Sequence, residues 1–426
     1  MTSIFKDRNY VADFPVIDMD CHVWDPPAIF SEYLDPKFRE MAREVFCGDG
    51  PGLGNVVQGK KVGAGYKYRM FCETEEAAQI NKLGDGYRYP GEDDPYVRLS
   101  CMDAEGIDSG IVRNTVTPWI FHCDLKTYGD MVEAICIAYN NWCYDFCSAD
   151  PSRLFPEAML PCFNMEAAMK ELERTAKMGF KSICLPGSSA AGIPLSDPGW
   201  DPLFSCMEEM RWPLFIHPGF DAKVDSITAH LLSPSHLCSS SREAYWSIFF
   251  GLNFLLDNIV TLGEITLGGM LDKHPNLNVA FIESGSSWSG EVLYRLDKQF
   301  HAPWTMSQSD TYCRNMQLKA KTPPSELVKR QVYFMFEGGD RSQTKESVER
   351  FSNNLVWCSD IPHFDADGPW EGGGCLRDVL KVSREVEAKI MGGNAAKLLN
   401  VPYEKRIGTS KNTKPIPPEA LAGAAA

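Results

Sequence analysis

Five short apolar runs in this sequence end in, or just before, a residue that can bind a metal or move a proton. Asp20 and His22 close VIDMDCH, His217 closes LFIH, Glu283 closes AFIE, Glu337 closes FMFE, and Asp360 and His363 lie in VWCSDIPH. Taken singly, such an Asp more often caps the following turn, and such a His more often satisfies a backbone group. The combination argues otherwise, because the chain has only 8 His and three of them stand beside carboxylates at these ends. Imidazole nitrogen and carboxylate oxygen without thiolate suit one or two divalent ions of the Zn, Fe or Mn kind rather than a structural cysteine site. Asp20, His22, His217, Glu283, Glu337 and Asp360 are the candidate ligands, and Asp360, His363 and Glu283 are the candidate catalytic groups. Asp20 and His22 are two residues apart, so a regular strand points both to one side. Asp18 is expected one step deeper on that face, and Cys21 on the opposite one.

For residues this far apart in sequence to meet, the elements carrying them must converge. The apolar runs predict eight strands, at Val16–Asp20, Gly110–Asn114, Phe155–Leu160, Ser182–Leu185, Pro213–His217, Val279–Glu283, Val332–Glu337 and Leu355–Asp360. Between them, three- and four-residue apolar spacing predicts helices such as Lys126–Cys147, Met165–Met178, Pro202–Met210 and Ser287–Phe300. Alternation of this kind is the pattern of a parallel α/β sheet, and eight repeats suggest a closed (β/α)8 TIM barrel, whose active sites lie where the strand C-termini meet. His274 precedes the sixth strand, at the opposite end, and is expected to be structural.

The barrel is read as one domain over residues 14–400, interrupted by a cap or lid insertion at 29–95 whose GDGPGLGNVVQGKKVGAG core is too Gly-rich for a regular element. That insertion holds Lys60, Lys61 and Arg69 among tyrosines, read chiefly as a solvated loop and alternatively as a site for a phosphate-bearing substrate. Residues 401–426 have little apolar periodicity and read as an extended or disordered tail. His122, His230, His236 and His301 fall in loops that could fold over the mouth.

Composition removes several function classes. Lys+Arg 42 against Asp+Glu 57 leaves a net charge of −15, which argues against a general grip on nucleic acid or anionic lipid. The most apolar stretch, Trp246–Leu271, is broken by Asn253, Asp257, Asn258 and Glu264, and the N-terminus lacks a signal-like apolar core, so a soluble, cytoplasmic protein is expected. The 15 cysteines include no Cys-x-x-Cys pair and are expected to be mostly buried thiols. No nucleophile elbow, phosphate loop or strand-linked dinucleotide fingerprint is present.

The motifs VIDMDCHVWDPP, DPGWDPLFSCMEEMRWPLFIHPG, LGGMLDKHPNLNVAFIESGSSW and LVWCSDIPHFD, in this order over roughly residues 14–400, resemble the amidohydrolase-related metal-dependent barrel proteins. That group includes the aminocarboxymuconate semialdehyde and resorcylate type decarboxylases. The resemblance implies a distorted (β/α)8 barrel with a metal at its C-terminal mouth. The group's opening His-x-His is here Asp20-x-His22, His217 matches its fifth-strand histidine, Asp360 its eighth-strand aspartate, and Glu283 stands where many members place a histidine. Three activities follow from it. Family membership puts first a hydrolase in which metal-activated water attacks an amide, ester or lactone and Asp360 takes the proton. The carboxylate-rich donor set, with the basic insertion, suggests a diiron oxygenase acting on an apolar or coenzyme A-linked substrate. Non-oxidative decarboxylation of an aromatic or dienoic acid is the third. Each takes a small-molecule substrate, and a homo-oligomer is compatible with all three.

Overall fold

The computed structural model describes residues 11–23, 25–47, 55–57, 60–62, 91, 93–115, 120–121, 123–187, 193–218, 251–252, 254–302, 319–340, 342–361, 363 and 366–417. Its strands are β1 (Ile17–Val23), β2 (Asn55–Val57), β3 (Lys60–Val62), β4 (Ser109–Asn114), β5 (Leu154–Ala158), β6 (Ser182–Pro186), β7 (Leu214–His217), β8 (Val279–Phe281), β9 (Val332–Phe336) and β10 (Leu355–Trp357). Eight of them form one sheet in the order β1-β4-β5-β6-β7-β8-β9-β10, and every neighbouring pair is parallel. The ring closes just beyond β10, where Cys21 bridges Ile361, His22 N–H donates to Ile361 O at 2.6 Å and Asp360 N–H donates to Asp20 O at 2.9 Å. This is the distorted TIM barrel expected from the sequence, with all eight strands in the expected places.

Strands of a parallel barrel are covered on both faces, which is why they read as nearly unbroken apolar runs. All five residues of β9, VYFMF, are buried. Ile17, Met19, Ile111, Phe155, Phe215 and Met335 belong to one buried cluster, which fills the barrel's interior. Val16, Val23, Val112, Ile183 and Val332 belong to a second, between strands and helices. The helices begin on side-chain caps: Asp124 accepts from Lys126 N–H at the start of Leu125–Cys147, and Asn164 from Ala167 N–H at the start of Met165–Met178. Gly179, at φ 95°, ends the second of these in the left-handed conformation a side chain would disfavour.

Pairing of β1 with β4 matches Asp18 to Gly110 but Cys21 to Val112, so β1 carries one extra residue between these points. Such a bulge breaks the alternation of faces. Ile17 and Met19 lie inside the barrel, and after the extra residue Asp20 and His22 lie inside as well. Asp18 therefore does not share their face, contrary to the simple period-two expectation. Its carboxylate instead takes Ser359 N–H at 2.9 Å and the Ser359 hydroxyl, and burial, partly offset by these bonds, raises it to about 7.

Two regions depart from or extend the sequence reading. Within 29–95 the chain forms a helix at Pro36–Cys47, ahead of the Gly-rich core, and the antiparallel β2–β3 pair inside that core, where no regular element was expected. The pair is only three residues a side, too short for its pattern to stand out from the surrounding glycines. The described part of the tail, 401–417, is anchored by polar contacts, with Val401 and Ile416 packed against the apolar core. Lys405 Nζ lies 3.1 Å from Asp108, Ser410 Oγ donates to Asp150 at 2.7 Å, and Lys414 pairs with Asp94 at 2.5 Å. Cys21, Cys101, Cys123, Cys136, Cys143, Cys147, Cys162, Cys184, Cys206, Cys358 and Cys375 are free thiols, most of them buried. Among the described residues no helix is long and apolar enough to cross a membrane.

Candidate metal centre

At the C-terminal mouth of the barrel, the ends of β1, β7, β8 and β10 bring six of the expected side chains together. His22 Nε2 lies 3.2 Å from Asp20 Oδ1, 3.5 Å from Asp360 Oδ1 and 3.3 Å from His217 Nε2. His217 Nε2 is 3.3 Å from Glu283 Oε2, and His363 Nδ1 is 2.7 Å from Asp360 Oδ1 and 3.8 Å from Glu283 Oε1. Two overlapping groups have the spacing of a metal site, Asp20–His22–His217 and His22–Asp360–His363. Glu337 is in neither: its Oε1 accepts from Gly285 N–H at 3.0 Å, holding the turn after β8.

Backbone carbonyls set the state of the two inner imidazoles. His22 Nδ1 is 2.8 Å from Asn114 O, and His217 Nδ1 is 2.7 Å from Pro218 O. A carbonyl only accepts, so each Nδ1 carries the proton and each Nε2 turns its lone pair inward. Burial holds His217 well below the ordinary histidine range, against the pull of Asp20, and keeps it neutral. Two facing lone pairs 3.3 Å apart are a poor contact for each other and a good one for a cation. Asp20 supports the same fit, because its Oδ2 is buried and accepts no hydrogen bond among the described residues. Burial would raise the Asp20 carboxyl, yet the Arg113 guanidinium that donates to Oδ1 outweighs it and holds it below the usual carboxylate range. These residues fit a divalent ion bound through nitrogen and oxygen.

Glu283 and Asp360 share a backbone peculiarity. Both have φ 56°, a left-handed conformation that costs a non-glycine residue about 1–2 kcal/mol. Each sits just past the end of a strand, β8 or β10, where the chain must turn sharply to aim a carboxylate back over the barrel. Asp360 is further held by its N–H to Asp20 O and by its own O, which accepts from His363 N–H at 2.9 Å.

Two buried residues of the site escaped the sequence reading. Arg113 of β4 donates to Asp20 Oδ1 and forms a two-pronged pair with Glu157 of β5, Nε to Oε2 at 2.6 Å and Nη2 to Oε1 at 2.9 Å. The available signal was positional: each lies two residues beyond an inward apolar residue, Ile111 or Phe155, where β7 carries His217 two beyond Phe215. His274 is clasped at the other end of the barrel between Glu208 at 3.1 Å and Asp201 at 3.2 Å. His301 is an exposed residue ending the Ser289–Phe300 helix. Lys60 and Lys61 lie in β3, whereas Arg69, His122, His230 and His236 lie outside the described residues.

A family model described as amidohydrolase matches residues 17–401. Gamma-resorcylate decarboxylase of Rhizobium sp. (strain MTP-10005) is 26% identical over 212 residues, 47% of this chain and 58% of that protein. The chain thus spans little more than half the length of the curated relatives it matches. An amidohydrolase structure from Mycobacterium avium subsp. paratuberculosis is similar with a TM-score of 0.65 at 18% identity, over 91% of this chain and 100% of that one. A 5-carboxyvanillate decarboxylase from Novosphingobium aromaticivorans, solved with manganese and 4-hydroxy-3-methoxy-5-nitrobenzoic acid, is similar with a TM-score of 0.61 at 21% identity, over 94% of this chain and 100% of that one. At these identities the structures share the fold.

Proposed function

Since the chain belongs to the amidohydrolase family, we propose that it is a metal-dependent decarboxylase of a small aromatic or dienoic acid, built as one barrel domain over 14–400 with 29–95 as its cap. The observation that carries this reading is the placement of Asp360, 3.5 Å from the inward nitrogen of His22 and 2.7 Å from His363 Nδ1. A carboxyl at the rim of a metal site, in contact with a partly exposed imidazole, is suited to deliver a proton to a substrate carbon. The gamma-resorcylate and 5-carboxyvanillate relatives, decarboxylases by name, support the same choice. This reading replaces hydrolysis, which sequence alone put first.

Asp20, His22, His217 and Asp360 would hold the ion, with Glu283 beside them. When bound, the ion supplies positive charge that neutralises and orients the acid's oxygens. The chain's own groups do the remainder. Cleavage of the bond to the carboxyl carbon leaves the electron pair on the substrate carbon and releases carbon dioxide, and Asp360 gives its proton to that carbon. His363, 22% exposed, returns a proton to Asp360 from solvent. Manganese is the ion we favour, on the company of the structural relative.

A second reading rests on one feature: the two donor groups share His22, and Glu283 adds a carboxylate, a set large enough for two irons and an oxygenase acting on an apolar or coenzyme A-linked acid. The deciding experiment measures metal content of the protein as purified, then carbon dioxide release from 2,6-dihydroxybenzoate and 5-carboxyvanillate without oxygen. Release with about one ion per chain is expected. Ester or lactone cleavage without carbon dioxide would return the hydrolase, and two irons with oxygen uptake would establish the oxygenase.

A further inference from the structure

We infer that Arg113, locked in place by Glu157 and Ser182, is a positioning residue that fixes the aim of Asp20 as a metal ligand. The inference rests on the metal reading above. Four consecutive strands build a layer immediately beneath the donors: Arg113 on β4, Glu157 on β5, Ser182 on β6 and Phe215 on β7. Arg113 and Asp20 are fully buried and Glu157 is 3% exposed. The guanidinium spends Nε and Nη2 on Glu157, at 2.6 and 2.9 Å, and Nη1 on Asp20 Oδ1, while its face lies 4.8 Å from the Phe215 ring. Glu157 Oε1 also accepts from Ser182 Oγ at 3.0 Å.

Nothing in this arrangement is free to swing. Planar, two-pronged pairing fixes the guanidinium in its plane and the phenyl ring fixes it from one side. Asp20 Oδ1 is thereby held by Arg113, and Oδ2 is left bare and buried among the described residues. With Oδ1 pinned by Arg113 on one side and facing His22 Nε2 at 3.2 Å on the other, the carboxylate can meet an ion from one direction only. Stability alone does not account for such a layer, since buried ion pairs are commonly replaced by apolar residues of equal volume at no loss. Its position against a ligand does, because partners behind a ligand set the ligand's aim and the ion's affinity.

The test uses the full chain stripped of metal and titrated with Mn2+, free ion being read by electron paramagnetic resonance, alongside the melting temperature without metal. Arg113→Met/Glu157→Gln removes one positive and one negative charge together, so the net charge near the ion is unchanged. We expect Mn2+ to bind about 10- to 100-fold more weakly; the metal-free melting temperature should also fall, because Asp20 loses its buried counter-charge, so affinity is read on the folded variant. Ser182→Ala, which loosens Glu157 without stranding a charge, should give a smaller loss in the same direction and serves if the double variant does not fold. Dissociation constants within about twofold of wild type in the folded double variant, or in Ser182→Ala if that variant alone folds, would overturn the positioning role. If wild type itself took up no Mn2+, the metal reading would fail, and this inference with it.

Discussion

If His22 and His217 face a cation with their lone pairs, that cation must stabilise the fold, and the size of the effect can be worked out. An ion present at a thousand times its dissociation constant adds about 4 kcal/mol to the native state. Unfolding entropy of about 2 cal/mol/K per residue gives this 426-residue chain about 0.9 kcal/mol for each degree of melting temperature. The metal should therefore raise the melting temperature by about 5 °C. His217→Ala removes one Nε2 from the pair; if affinity falls about 100-fold, the same metal concentration contributes about 1.4 kcal/mol, or between 1 and 2 °C. Each variant is compared with its own metal-stripped form in differential scanning calorimetry, so the packing cost of the truncation cancels. His274→Ala, at the other end of the barrel between Glu208 and Asp201, should keep the full shift. An undiminished shift in His217→Ala would mean that the ion binds elsewhere and that the paired imidazoles are only a buried polar contact.

Two further outcomes follow from individual contacts. Glu337→Gln should leave metal content unchanged, because the amide oxygen still accepts from Gly285 N–H; loss of an ion in elemental analysis would return Glu337 to the ligands. Asp94 caps the Pro95–Glu105 helix through Tyr96 and Val97 N–H and pairs with Lys414 of the tail, contacts that outweigh burial and hold its carboxyl below the ordinary aspartate value of 3.8. A depressed folded value means that this stability is present above 3.8 and is lost as pH falls through the lower folded value. Asp94→Ala should therefore cost about 1 kcal/mol near neutral pH in urea unfolding, with the difference from wild type shrinking in acid; a pH-independent difference would assign it to something other than the carboxylate.

Strands and donors were legible for one physical reason: a barrel strand is apolar on both faces until it reaches the mouth, so LFIH or AFIE announces both the element and its functional end. Other features had no such mark. Arg113 and Glu157 read as ordinary charged residues in GIVRN and LFPEA, since a sequence does not say that β4 and β5 place them side by side. The β1 bulge was invisible because Asp18, Asp20 and His22 keep a perfect spacing of two, and only pairing with Gly110 and Val112 reveals the extra residue. The tail lacked the apolar rhythm that betrays packing because, beyond Val401 and Ile416 at its two ends, Asp108, Asp150 and Asp94 hold it by charge and hydrogen bonds. Lys60 and Lys61 could be placed only as far as β3.

The left-handed turns at Glu283 and Asp360 put two kinds of selection in opposition. A library screened only for survival of heating should drift toward glycine at both positions, because glycine adopts that backbone without the steric cost a side chain carries there. Each such gain would discard a carboxylate from the mouth of the barrel. A lineage that kept the fold but no longer needed the chemistry would be expected to relax first at these two sites, so glycine at both would identify a descendant that has retained the scaffold and lost the reaction.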